Sequence, residues 1–313
     1  MAAMKKVLLA VAVAAFAVFS GHRFLKLKEI MLASREIPVK HLSCHYLQNI
    51  EYGAEDITIL KDGLAFMSTG LKFPGLHSFS DEPGKMYVLD LLHPKPTPVE
   101  LQISGELDLS SFNPHGISAY TDEADDSVYL FVVNHPHHNS QVEIFRYVEE
   151  DTLVHIKTIT HPLLHSPHEV RVVADGLRSP NGINISPDKR YIYVSDIMDH
   201  DIDVFERQEG EQLRYIKSVA VGSLCDNIEV DHKTGDVWLG CHPNAMKLSS
   251  YDPEDPPGSE VLRIENIHSK QPVVSMEYAD DGHVLMGSSV AAPYEGKLLI
   301  GSVFHKALYC LLK

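Results

Sequence analysis

The stretch Asn181-Gly-Ile-Asn-Ile-Ser-Pro-Asp188, followed by Tyr191-Ile-Tyr-Val-Ser-Asp196, decides how the whole chain is read. A polar residue and a glycine open a short apolar run, and an Asp-bearing turn closes it. A second run then alternates apolar and polar residues, the pattern of two antiparallel strands joined by a tight turn. The arrangement recurs at His115-Gly-Ile-Ser-Ala-Tyr-Thr-Asp122 with Val128-Tyr-Leu-Phe-Val-Val-Asn134, and at Asp226-Asn-Ile-Glu-Val-Asp231 with Gly235-Asp-Val-Trp-Leu-Gly240. Asp62-Gly-Leu-Ala-Phe66 is a shorter copy, and Val274-Ser-Met-Glu-Tyr-Ala-Asp-Asp-Gly282, leading to Val284-Leu-Met-Gly287, is a weaker fifth. Strand pairs repeating every ~40–50 residues predict the blades of a β-propeller. Helical periodicity is absent after about Ile37, which argues against a helix bundle or a doubly wound sheet.

The spacing carries one irregularity. Asn181 to Asn227 is 46 residues and Gly240 to Gly287 is 47, one blade each. Gly116 to Gly182 is 66, too long for one blade and too short for two, so the repeat is interrupted between Thr160 and Val170.

The chain has 313 residues, enough for two ordinary domains or one large all-β domain. With 27 basic and 43 acidic residues its net charge is −16, which argues against a nucleic-acid partner. An apolar content of 44% and a mean hydropathy of −0.10 describe a globular protein with a sizeable core. The N-terminus departs from that composition. After Lys5-Lys6, thirteen apolar residues run from Val7 to Phe19 and end at Ser20-Gly21, the layout of a secretory signal or retained anchor. Phe24, Leu27 and Met31, with Arg23, Lys26 and Lys28 between them, form a basic amphipathic stretch suited to a lipid surface. The division is therefore residues 1–37, signal or anchor and amphipathic helix, and 38–313, propeller.

Four cysteines are too few for a disulfide scaffold. In an oxidising compartment Cys44 and Cys310 would close nearly the whole propeller into one loop. Cys225 and Cys241 lie in apolar strands and read as buried thiols. Asn184-Ile-Ser186 is a glycosylation sequon, but its place inside a strand favours an unmodified Asn184.

The repeat starts bear His115, Asn181 and Asp226-Asn227. In a propeller the innermost strands face a central channel, so residues distant in sequence meet there. Amide and carboxylate oxygens suit a hard cation with 6–8 oxygen ligands, calcium rather than zinc.

Gly53-Ala-Glu-Asp-Ile-Thr-Ile-Leu60, Gly70-Leu-Lys-Phe-Pro-Gly75, Phe112-Asn-Pro-His-Gly-Ile-Ser118, Val132-Val-Asn-His-Pro136, the Asn181 stretch, Gly240-Cys-His-Pro-Asn244 and Val303-Phe-His-Lys-Ala-Leu-Tyr-Cys310 together resemble the paraoxonase/arylesterase family. The resemblance implies a six-bladed propeller with two calcium ions in its channel, an N-terminal helix that attaches to lipoprotein or membrane, and hydrolysis of lactones and aryl esters by a secreted or lumen-facing protein. By position it implies Glu55, Asn181, Asp226 and Asn227 as side-chain ligands of a catalytic ion. Asp56 and the Ile117 carbonyl would serve a deeper structural ion. It implies His115 and His135 as the pair that activates water, Leu71, Phe73 and Val303 as borders of the apolar pocket, and Cys44–Cys310 as the family disulfide.

Between His165 and Ser166 the family carries a further block of some forty residues, and here the flanks join directly. That block holds an Asn-Asp pair that ligates both ions. One blade is therefore expected to be incomplete, the structural ion to lose a charged ligand, and activity to be reduced. The alternative reading is a non-catalytic propeller that binds a lipid surface or a partner.

Overall fold

A computed structural model describes residues 2–149, 151–160 and 172–312. The Asp-bearing turns of the repeat close hairpins in the expected way. Asp62, Asp122, Asp188 and Asp231 each accept a backbone N–H two residues on, from Leu64, Ala124, Arg190 and Lys233.

Among the described residues the strands between these turns form five sheets around an axis, antiparallel except for one edge pair. After β1 (Ser43–Tyr46), the first blade is β2 (Ala54–Ile59), β3 (Leu64–Thr69), β4 (Lys85–Asp90) and β5 (Val99–Glu100). The second is β6 (Gln102–Ser104), β7 (Pro114–Thr121), β8 (Val128–Asn134), β9 (Gln141–Glu149) and β10 (Thr152–Ile159), with β6 joining β10 in parallel. The third is β11 (Pro180–Ile185), β12 (Tyr191–Asp196), β13 (Asp201–Arg207) and β14 (Leu213–Ala220). The fourth is β15 (Leu224–Val230), β16 (Val237–His242), β17 (Ser259–Glu265) and β18 (Val273–Asp280). The fifth is β19 (Ser288–Tyr294), β20 (Lys297–Ser302) and β21 (Leu308–Leu311), completed by β1 from the other end of the chain.

Pairing of β1 with β21 joins the two ends, and the Cys44–Cys310 disulfide lies in register across that pair. The core sits between blades. Phe66, Met86 and Val88 of the first blade meet Ile117, Leu130 and Phe145 of the second, and Tyr193, Ile202 and Val204 of the third meet Ile228 and Val230 of the fourth.

Three expectations change. The propeller has five blades among the described residues rather than six with one incomplete, because only twenty residues lie between Ile159 and Pro180, too few for four strands. Residues 161–171, where the repeat is interrupted, lie outside the described residues. Inner strand β11 packs on β15, β15 on β19, β19 on β2 and β2 on β7, while no comparable packing joins β7 to β11 among the described residues. Exposed apolar side chains lie on both of these blades, Tyr120, Phe131 and Ile156 on the second and Ile183, Ile185 and Tyr215 on the third.

The weak fifth copy at Val274–Gly282 is also not a blade start. It falls on β18, the outer strand of the fourth blade, and the true inner strand of the fifth begins at Ser288. Finally, Cys225 and Cys241 are not thiols but a second disulfide between directly opposed residues of β15 and β16.

The N-terminal segments form one continuous helix, α1 (Ala2–Ile30). Its part from Met4 to Ile30 is long and apolar enough to cross a membrane, and none of its apolar window is buried among the described residues. Beyond it, Arg35 holds Glu260 through two hydrogen bonds, at 2.7 and 2.8 Å, and a third reaches Ser223. The Met31 carbonyl accepts from Ala245 N, the first residue of the short helix α2 (Ala245–Ser250).

Candidate active site

Every inner strand carries a register shift near its start. The shifts fall at Glu55 in β2, His115-Gly116 in β7, Asn181-Gly182 in β11, Asp226-Asn227 in β15 and Ser289 in β19. A β-bulge leaves its extra residue unpaired and re-aims the side chain. The same device, repeated around the axis, turns these side chains toward the channel. Small residues let the strands close on one another there. A Cβ on Gly182 would lie 2.3 Å from the Asp226 carbonyl oxygen, and one on Gly240 would lie 2.1 Å from Val290 N.

The result is a buried polar cluster. Asn227 donates through Nδ2 to the Glu55 carbonyl oxygen at 2.9 Å and to Glu55 Oε1 at 3.0 Å. Ser289 Oγ donates to the same carbonyl at 2.6 Å. His242 Nε2 lies 3.0 Å from Asp226 Oδ2. Glu55 Oε2 and Asp226 Oδ1 are buried without any hydrogen-bond partner, an arrangement that costs free energy unless another group satisfies them.

His115 and His135 meet at the edge of this cluster. His115 Nδ1 is 2.9 Å from His135 Nε2, His135 Nδ1 is 3.0 Å from Ser140 Oγ, and His115 Nε2 is 3.4 Å from Glu55 Oε1. The His115 carbonyl accepts from Ser68 Oγ at 2.6 Å, and His135 N donates to the Asn113 carbonyl at 3.0 Å, so both backbones are fixed. Burial opposes a charge on His115, but Glu55, Asp226 and Asp56 outweigh it and push the imidazole up to about 9. Burial and the neighbouring His115 move His135 the other way, below the usual histidine range.

The sequence-derived residues fare differently. Glu55, Asp226, Asn227, His115 and His135 are brought together. Asn181 stands at the equivalent bulge of β11 but is exposed, and no hydrogen bond ties it to Glu55, Asp226 or Asn227. Its strand, β11, has no packing against β7 among the described residues. Asp56 and Ile117 also meet, through the Ile117 N–H rather than its carbonyl. The Ile117 N–H donates to Asp56 Oδ2 at 2.7 Å, and Ile57 N donates to Oδ1 at 2.9 Å, so backbone amides take both carboxylate oxygens. Burial and the adjacent Glu55 raise Asp56 to about 8.

Phe73 packs over the histidine pair, its ring centroid 6.1 Å from His115 and 5.8 Å from His135. Leu71 and Val303 are buried in a neighbouring apolar cluster with Leu248 and Phe304. Asn113 clamps the loop that presents Phe73, accepting from Lys72 N and donating to the Lys72 carbonyl, both at 2.8 Å. Asn184 uses Nδ2, the atom a glycan would occupy, to donate to the Ile228 carbonyl at 2.8 Å.

Sequence reasoning gave no role to His242, Ser140, Ser289 or Glu229. Glu229 is buried on β15 two residues beyond Asn227, with Asn184 Nδ2 3.4 Å from its carboxylate. His242 had a signal, its place in the Gly240–Asn244 motif. The serines had none.

Among the described residues, no group of three or more His, Cys, Asp or Glu side chains is arranged to hold a metal by itself. The donor chemistry nevertheless fits a hard cation. The unpartnered oxygens of Glu55 and Asp226 are anionic, and Asn227 supplies a neutral oxygen if its amide is turned end for end, which leaves the heavy-atom positions almost unchanged.

The family model described as Arylesterase matches residues 36–166 and 163–312, in two pieces that meet where the repeat is interrupted. Serum paraoxonase/arylesterase 2 of Gallus gallus is 48% identical over 355 positions, covering 99% of this chain and 100% of the relative. That alignment is about forty positions longer than the 313 residues present here. The Homo sapiens protein of the same name is 48% identical, covering 93% of this chain and 95% of the relative. Serum paraoxonase/lactonase 3 of Homo sapiens is 46% identical with the same coverage.

Proposed function

This chain belongs to the paraoxonase/arylesterase family, and from that premise we propose that it hydrolyses lactones and aryl esters at the Glu55–Asp226–Asn227 cluster, with His115 as the general base. The observation that carries the assignment is the 2.9 Å contact between His115 and His135 at the edge of two unpartnered buried carboxylate oxygens.

The carboxylates of Glu55 and Asp226 hold His115 protonated. A cation bound to them would cancel that charge and favour the neutral imidazole, whose Nδ1–H then donates to His135 Nε2 while His135 donates from Nδ1 to Ser140. That tautomer leaves the lone pair of His115 on Nε2, the nitrogen facing the cluster, from which it takes a proton of the attacking water. The imidazolium so formed lies beside Glu55 Oε1, whose charge favours it. Phe73 covers the pair and, with Leu71 and Val303, gives the site an apolar wall that selects lipophilic esters.

Calcium held by Glu55, Asp226 and Asn227 would polarise the ester carbonyl and stabilise the developing oxyanion. A single ion is the reading we favour, because the backbone N–H groups of Ile57 and Ile117 engage the Asp56 carboxylate and the resemblance assigns the other charged ligand of a second ion to the block this chain lacks. The exposure of Asn181 supports weaker ion binding and reduced turnover relative to a chain that has the block.

The apolar length of α1, the two disulfides and the serum relatives support a protein secreted, or anchored and facing the lumen or exterior, with lipoprotein or membrane contact through α1. The hydrogen bond of Ala245 N to the Met31 carbonyl, three residues beyond His242 in sequence, supports a helix end near the site.

The same exposure of Asn181, and the lack of packing between β7 and β11 among the described residues, favour the second reading, a non-catalytic propeller that binds a lipid surface. Hydrolysis of a medium-chain lactone and of phenyl acetate, measured with calcium and again with chelator, separates the two. Chelator-sensitive turnover that rises when the block of the Gallus gallus relative is inserted after His165 supports the enzyme. Turnover equal to the buffer rate, with calcium present and the block restored, overturns it.

A further inference from the structure

We infer that the Cys225–Cys241 disulfide is a positioning element of the active site, the covalent pin that holds the Asp226 carboxylate in place. Cys225 immediately precedes Asp226 on β15, and Cys241 immediately precedes His242 on β16. The two cysteines oppose each other in register, and the two residues that follow them are joined by the 3.0 Å contact of His242 Nε2 with Asp226 Oδ2.

The bulge lies directly beyond the pin. Between Cys225↔Cys241 and the next aligned pair, Ile228↔Leu239, Asp226 and Asn227 stand opposite Gly240 alone. A bulge interrupts the ladder, so the two residues are held by what flanks them rather than by their own strand pairing. On one flank is the ladder from Ile228 to Val230, and on the other is the disulfide.

The neighbouring blades reinforce that flank. Ser195 Oγ donates to the Cys225 carbonyl, and Ser288 Oγ donates to the Cys241 carbonyl at 2.9 Å. Cys225 and Cys241 are 1% and 0% exposed, inside the core between the third and fourth blades, so the bond is a fixed brace and not a surface redox handle. A one-residue slip of β15 against β16 would move Asp226 off the channel face, and the link forbids it.

The inference rests on the reading of Asp226 as an ion ligand, and the experiment separates the two. Peptide mapping under non-reducing conditions is expected to recover residues 225 and 241 in one linked species; two free thiols there would overturn the inference. Cys225→Val keeps an apolar side chain of similar size and removes only the link, and Cys225→Ala/Cys241→Ala is the second variant if the first does not fold. Either is expected to retain the far-UV spectrum, to exchange the amides of residues 226–228 faster in calcium-free buffer, and to bind calcium at least about tenfold more weakly by calorimetry. The control is Cys44→Ala/Cys310→Ala, expected to lower the melting temperature without changing calcium affinity at a temperature where it is folded. Unchanged amide exchange and unchanged affinity in Cys225→Val would overturn the inference. Absence of calcium binding in the unaltered chain would instead overturn the ligand reading, and the amide exchange would still decide whether the disulfide holds residues 226–228.

Discussion

Asn227 and Glu55, on inner strands of different blades and 172 residues apart in sequence, are joined by two hydrogen bonds from one amide nitrogen, at 2.9 and 3.0 Å. The link ties the fourth blade to the first across the axis, and both residues are less than 5% exposed. Asn227→Ala removes a donor from two buried acceptors, a loss of roughly 1–3 kcal/mol. In the calcium-free protein the melting temperature by scanning calorimetry is expected to fall by several degrees, and an unchanged value would mean the contact carries no weight in the fold.

His115→Gln is expected to lower the turnover of lactones and aryl esters by roughly 10²- to 10⁴-fold, the range for loss of a general base. Calcium affinity should be nearly preserved, because the imidazole is not among the proposed ligands. His135→Gln should have a smaller effect on turnover, since it acts on the tautomer of His115 and not on the substrate. Steady-state kinetics on both variants checks the order, and equal losses from the two would contradict the division of roles.

Phe73→Ala opens the wall over the histidines without touching the cluster below. KM for a long-chain lactone is expected to rise several-fold, by about the value of a lost aromatic contact, while kcat changes little. A comparison of long-chain and short-chain lactones reads this directly; a loss confined to kcat would place Phe73 in the chemistry instead.

Burial, helped by the nearby carboxylates of Asp203, Asp196 and Asp199, raises Asp201 to about 6. A carboxyl whose folded pKa lies above its unfolded value favours the native state when protonated and opposes it once ionised. That contribution is complete below pH 3.8 and is lost as pH rises through about 6. Asp201→Asn is therefore expected to raise the melting temperature at pH 7.5 and to have little effect at pH 3.5. A gain of equal size at both pH values would show that charge is not its cause.

Much of this arrangement is legible in the sequence. His115-Gly116, Asn181-Gly182 and Asp226-Asn227 mark three inner strands, because a polar residue beside a bulge leaves a pattern that alternation alone does not. Ser288-Ser289 marks the fifth strand just as firmly in space, but serine side chains carry no turn or ligand signal, and the apparent copy at Val274–Gly282 proved to be an outer strand. The Cys225–Cys241 bond was hidden for a related reason. Two cysteines 16 residues apart pair only if the hairpin register sets them opposite, and register depends on a bulge that local sequence does not fix. The exposure of Asn181 depends on the packing of neighbouring blades, which no local pattern contains.

In the proposed site, side chains from separate blades hold one calcium ion on the axis. Titration of calcium into the chelator-stripped protein by isothermal calorimetry tests it, with Glu55→Gln titrated alongside. One site is expected in the unaltered chain, with affinity reduced at least about a hundredfold in Glu55→Gln, as befits loss of one of two anionic ligands. No binding in the unaltered chain, or binding that Glu55→Gln leaves intact, would contradict it.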